Sequence, residues 1–251
     1  MQFDKADQIL EKADADGLLR VLVITALPLE MKAVLAHLTA LGSCVGRDGN
    51  IFEFGRFSGT SRDWLVVVGE SGAGNHQSQG MVSTAINEFG DLDLIVFVGV
   101  AATRKKQDAP IGSVVAGNHV YLASVGKYEN GDFFSRSRVF QVDTRLQGLA
   151  RKIARDEHWH ERLRPPYGGI MPTDANYPQP FPPTAVVAPI VSVEAVSADL
   201  NSVLEQQITQ SCQDATALEM EGYGAAYAAH LERVPTIIIR GISDARLVSN
   251  G

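Results

Sequence analysis

Residues 215–244 read ATALEMEGYGAAYAAHLERVPTIIIRGISD. A short run (215–219) is followed by an alanine-rich segment of helical length (220–232) and then by PTIIIRG (235–241), dense in β-branched residues. Such β-branched runs suit buried strands, and alanine-rich segments suit helices. Strand, helix and strand at this spacing predict a sheet of the α/β class covered by helices. Chemistry-bearing residues gather where each strand ends: Glu219, Met220 and Glu221 after the first, Ser243 and Asp244 after the second. Open α/β sheets bind ligands beyond the carboxyl ends of their strands, so Glu219, Glu221 and Asp244 are candidates for one crevice. A structural reading competes on equal terms: acids favour the positive end of a helix, and an aspartate caps one.

Working outward, the same alternation fills the chain. RVLVITA (20–26) reads as a buried strand, and Pro28 sits where a first helical turn tolerates it. The helix that follows carries Glu30, Val34 and Leu38; alone, Glu30 reads first as a dipole-complementing acid. Residues 51–57 and 64–68 read as strands, 75–89 as a helix, 93–99 and 112–123 as strands, and 143–157 as a helix. Eight of the eleven prolines fall within 165–189, which predicts an irregular loop suited to a lid, a contact surface or a plain excursion. Residues 186–193 resume the strand pattern and 197–210 a helical one. Residues 2–13 form an amphipathic stripe through Phe3, Ala6, Ile9, Leu10 and Ala13, expected as a helical prefix (1–19) outside the main domain (20–251). The chain stops soon after an apolar strand, which suggests either a chain cut before a covering helix or a partner element on that face.

Composition excludes whole classes. The 251 residues carry 22 Lys+Arg against 29 Asp+Glu, a net charge of −7, so no nucleic-acid footprint is present. No window nears the apolar length of a membrane span, and the acidic N-terminus is no secretory signal. Cys44 and Cys212 form neither a zinc pattern nor a disulfide framework, so a reducing cytoplasm is the natural setting. His158 and His160 lack partners at ligand spacing, so no metal or other cofactor is expected.

Two further features are candidate ligand contacts. Gly69-Glu-Ser-Gly-Ala-Gly74 has neither dinucleotide nor P-loop spacing, leaving a turn that brings backbone near a sugar or water, Gly72 foremost. Arg104-Lys-Lys106 is an ordinary solvated run unless its loop borders the crevice, where it would meet phosphate.

Taken in order, these motifs resemble the nucleoside phosphorylase/nucleosidase superfamily, of the purine and uridine phosphorylase type. Within it they are most similar to the 5′-methylthioadenosine/S-adenosylhomocysteine nucleosidase branch, over about residues 20–246. Val21-Leu-Val-Ile-Thr-Ala-Leu-Pro-Leu-Glu30 is similar to the nucleosidase opening, and Gly69–Gly74 to its Ser-Gly-Ile-Gly turn. Val98-Gly-Val-Ala-Ala102 is similar to the pocket segment Thr-Gly-Ser-Ala-Gly, and Ile111-Gly-Ser-Val-Val115 to Val-Gly-Asp-Ile-Val. Pro189–Val196 resembles the base-flanking Val-Ser-Gly-Asp-Ala-Phe. Ala217–Gly222 resembles Val-Glu-Met-Glu, and Arg240–Asp244 resembles Arg-Ala-Ile-Ser-Asp. The departures are Val100 and Thr103 in place of small residues, Glu194 in place of Asp and Val196 in place of Phe.

The resemblance implies a three-layer αβα fold with a twisted mixed central sheet, and hydrolysis of an adenine nucleoside or nucleotide to free base. Asp244, held by Ser243, would protonate purine N7, which requires burial to keep its proton near neutrality. Glu30 would take a proton from the attacking water, as in inverting glycosidases. Glu221 would bind the ribose hydroxyls, Met220 would pack under the sugar, and Glu219, Val100, Ala101, Val196 and Gly72 would line the pocket. Ala26-Leu-Pro replaces the phosphorylases' Gly-Asp-Pro turn, and Phe97-Val98 stands where their phosphate-clamping arginine would be, so hydrolysis is favoured. A phosphate-dependent phosphorylase and a catalytically silent nucleoside sensor are the alternatives. A homodimer or larger ring is expected, and a nucleotide-depleting defence module is a further implied role.

Overall fold

The computed structural model describes residues 6–123, 125–130, 132–156, 158–159, 183–195 and 202–245. Two compact units divide the chain: Met1–Gly99 with Met220–Ile238, and Val100–Glu219 with Ile239–Gly251.

The first unit is built on β1 (Leu19–Thr25), β2 (Thr39–Val45), β3 (Ile51–Ser58), β4 (Asp63–Glu70) and β5 (Leu94–Thr103), in the order β2-β3-β4-β1-β5. β1 runs parallel to β4 and to β5, whereas β2, β3 and β4 are antiparallel neighbours. A run such as Val21–Ile24, buried throughout, is what a parallel strand covered on both faces requires. Alternation divides it: Val21 and Val23 join Val66, Val68 and Leu38 in one apolar cluster against α2 (Pro28–Leu35). Leu22 and Ile24 turn to the other face, where α3 (Asn75–Phe89) lies against β1 and β4. α6 (Gly222–Leu231) packs along α3.

α1 (Ala6–Ala15) departs from expectation. It is no detached prefix: Ala6, Ile9 and Ala13 are buried, and the helix touches α3. Asp14 pairs with Arg20 at the head of β1, and Asp16 stands 3.7 Å from Arg56 on β3. The apolar stripe is too costly to leave in water when the sheet beside it offers Phe54 and Leu65.

The second unit centres on β6 (Val114–Leu122). β10 (Ala185–Ser192) pairs with it in parallel, and the Ile239–Gly241 part of β12 (Thr236–Ala245) is antiparallel to it. β11 (Ala217–Glu219) runs parallel to β10 and pairs antiparallel with Ala102–Thr103 at the end of β5. α4 (Thr144–Ala154) is capped by Asp143, which accepts from the Arg145 and Leu146 N–H groups, and it lies on β6 and β10. α5 (Val203–Ser211) is capped by Ser202.

The fold is therefore the expected α/β class, with mixed sheets flanked by helices. Four strands lie outside the sequence reading: β2, β7 (Gly126–Glu129), β8 (Asp132–Ser135) and β9 (Arg138–Gln141). All four are short or largely exposed, so no apolar run announces them. The proline-rich residues 165–182 lie outside the described ones, and β10 begins at Ala185, one residue before the strand pattern read from 186.

Candidate active site

In the first unit the ends of β1 and β4 meet through backbone bonds. Ser71 N donates to Thr25 O at 2.8 Å, tying the glycine turn to the end of β1. Glu30 lies one turn into α2, and its Oε2 accepts from Ala26 N at 2.8 Å and Leu27 N at 2.9 Å. This is half of a capping box, with the third helical residue reaching back to the donors before the helix. Glu30 is buried although Leu27 and Leu29 on either side of Pro28 are exposed.

The glycine turn leads into α3. Gly74 holds φ +108°, outside the range that L side chains readily adopt, so glycine is needed there. Its N–H donates to Glu221 Oε1 at 3.3 Å. Glu221 is buried at the start of α6, and Ser78 Oγ donates to its carbonyl at 2.6 Å. Met220, just before it, is half-buried, and Gly72 is half-buried in the turn. Gly72, Gly74 and Glu221 are thus joined to the end of β1, where Glu30 is held.

In the second unit Glu219 and Arg240 form an ion pair whose side chains are 1% and 0% exposed. β5 neighbours β12, and its end also pairs with β11, so a single strand lies between the strands that carry the two partners. A pair this deep holds only with close geometry, because both charges leave water. Glu219 therefore meets Arg240 in the core, away from any solvent surface. Ser243 Oγ donates to Asp244 Oδ1 at 2.7 Å, near the end of β12. The burial expected for Asp244 is absent: Ser243 and Asp244 are both exposed. Ala101 is buried and Val100 is 40% exposed. Val196 lies outside the described residues.

The basic run also departs from a phosphate-binding role. Arg104 bonds Glu205 Oε2 at 3.4 Å and Thr209 Oγ1 at 3.3 Å on α5, and burial holds its pKa below the usual guanidinium value. Lys105 Nζ donates to the Asp214 carbonyl at 2.9 Å, leaving Lys106 the exposed member of the run. These cations brace α5 and the loop before β11.

Among the described residues, no group of three His, Cys, Asp or Glu side chains is placed to hold a metal. None of the described helices is long and apolar enough to cross a membrane. Asn75, Ser78 and Gly224 escaped the sequence reading. A glycine inside an alanine-rich helix was the available signal, since it marks close backbone approach.

No curated protein matches the sequence. Solved structures do match the fold. S-adenosylhomocysteine nucleosidase of Streptococcus pyogenes, in complex with 5-methylthiotubericidin, aligns with TM-score 0.68 and 21% identity, over 92% of this chain and 86% of its own. The 5′-methylthioadenosine/S-adenosylhomocysteine nucleosidase of Colwellia psychrerythraea, in complex with adenine, gives 0.70 and 20%, over 91% and 84%. A futalosine hydrolase mutant of Helicobacter pylori gives 0.66 and 19%, over 90% of each chain. At these identities the likeness establishes a shared fold. The family model described as the phosphorylase superfamily matches residues 20–249. With nearly the whole chain matched, from the β1 strand through the end of β12, the protein belongs to the phosphorylase superfamily.

Proposed function

We propose that the protein hydrolyses the N-glycosidic bond of an adenine nucleoside, releasing free base. The observation that carries this reading is the Glu30 carboxylate on the Ala26 and Leu27 amides. The N-terminus of a helix after a strand is a natural anion site. Here a carboxylate of the chain itself fills it, and its charge opposes phosphate. A base is thus held where a phosphorylase needs its co-substrate. The neighbours that carry nucleosidase and hydrolase names, one of them with adenine bound, support the same substrate class.

In this mechanism Glu30 takes a proton from water as the water oxygen bonds to C1′. The C1′–N9 bond breaks, its electron pair passes to the purine, and Asp244 delivers a proton to N7. Ser243 orients Asp244, and the bound purine supplies the burial that Asp244 lacks here. Glu221 accepts from the ribose hydroxyls, and its charge favours the cationic sugar of the transition state. Met220 packs under that sugar, and Gly72 lines the pocket beside it. The engagement of Arg104 and Lys105 within the second unit favours an uncharged 5′ substituent over the nucleotide of a depleting defence module. The enzyme is a homodimer of a reducing, cytoplasmic setting, and a monomer by light scattering would contradict that.

The test follows free adenine chromatographically in phosphate-free buffer with 5′-methylthioadenosine, S-adenosylhomocysteine, adenosine, AMP and ATP. Adenine from the thio-nucleosides or adenosine is expected. Adenine from AMP or ATP alone would restore the nucleotide reading. Release only after phosphate is added, with ribose 1-phosphate as product, would make the protein a phosphorylase.

A further inference from the structure

Glu221 stands in the N-cap position of α6, yet its side chain does not cap that helix. The first N–H groups of a helix need acceptors, and the N-cap side chain ordinarily supplies one to the second or third residue. Here the third residue, Gly224, gives its N–H to Asn75 Oδ1 at 2.8 Å, and Asn75 belongs to α3. One turn on, Ser78 Oγ donates to the Glu221 carbonyl. Asn75, Ser78 and Glu221 are all buried. The helices meet backbone to backbone: a Cβ at Gly224 would collide with the Asn75 carbonyl. In return, the Glu221 carboxylate accepts the N–H of Gly74, the N-cap of α3. Two helix starts cap each other.

We propose that Asn75 and Ser78 are positioning residues for Glu221. By capping α6 from α3, Asn75 spares the Glu221 carboxylate the local capping bond, so that it turns toward Gly74 and the ribose hydroxyls. Ser78 fixes the peptide from which that side chain springs. The inference rests on the assignment of Glu221 to the ribose. Without the Asn75 acceptor, Glu221 is the residue whose N-cap position lets it take over the Gly224 N–H, and its carboxylate folds back onto its own helix.

The experiment compares Asn75→Ala, Asn75→Asp and Ser78→Ala with the parent protein. For each, kcat and KM are measured on the nucleoside that the parent cleaves and on its 2′-deoxy counterpart. Loss of a hydrogen bond to a charged group costs roughly tenfold or more, so Asn75→Ala should lower the ribo-to-deoxy ratio of kcat/KM about tenfold. Ser78→Ala should act in the same direction. Asn75→Asp keeps an acceptor for the Gly224 N–H and should restore the parent ratio. If both substrates lose activity equally, the residues serve stability alone and the proposal is overturned while the functional reading stands. If the parent cleaves no nucleoside, the functional reading fails. Calorimetric titration with adenosine and 2′-deoxyadenosine then makes the same comparison, and equal affinity losses, or no binding, overturn the proposal.

Discussion

Asp244 and Glu221, the proposed acid and ribose ligand, are held in two different ways. Asp244 is exposed and held by its neighbour Ser243, so its replacement removes no packed atoms. Asp244→Asn should therefore leave the thermal midpoint unchanged and lower the rate of adenine release by about 10²–10⁴-fold, the usual contribution of a general acid. An unchanged rate would remove Asp244 from the mechanism. Glu221 is buried and prepared by others, through Gly74, Ser78 and the helix that Asn75 caps. The support of Asp244 could be read from Arg240–Asp244 because Ser243 is adjacent in sequence. The support of Glu221 could not, because Asn75 lies 149 positions from the amide it caps.

At the scale of the element, β11 and β12 are joined by Glu219 and Arg240, the latter among the largest fully buried side chains. Removing one partner strands the other charge in the core, which typically costs about 3–5 kcal/mol, whereas apolar replacement of both is close to neutral. Arg240→Met should thus lower the urea midpoint sharply, and Arg240→Met with Glu219→Leu should recover much of the loss. Equal losses in the single and double variants would show that the pair's charges are not what the fold depends on. The sequence places Glu219 near a strand end and so suggests a ligand contact. What it omits is the pairing of β11 with the end of β5, the neighbour of β12, which brings these side chains together in the core. α1 teaches the converse. Its stripe is plain in residues 2–13, and only the sheet beside it decides that the stripe is covered.

For the whole molecule, stability should fall toward both acid and alkali, through groups of the second unit. Burial depresses the pKa of His119 despite nearby Asp214, so below its ordinary value the unfolded chain binds the proton more readily. Stability is then lost as pH falls from about 6.5 through the folded value. Burial raises the Cys212 thiol, and burial with the bond to Asp214 pushes Tyr121 up to about 12. In both, the unfolded chain releases its proton first, so stability is lost as pH rises past the unfolded values. Thermal midpoints should decline between about pH 8 and pH 11. Cys212→Ala should flatten the first part of that decline, and an unaltered slope would exclude the thiol.

By itself the sequence determined the α/β class, the main strands and the α3 boundaries. Buried strands and capped helices are written in local apolar runs, prolines and glycines, which act over a few residues. Tertiary structure alone decided that Glu219 belongs to an interior ion pair, that Arg104 and Lys105 brace α5, that α1 is part of the first unit, and that α3 caps α6. Each depends on partners remote in sequence, and burial and hydrogen bonding are settled only when those partners meet.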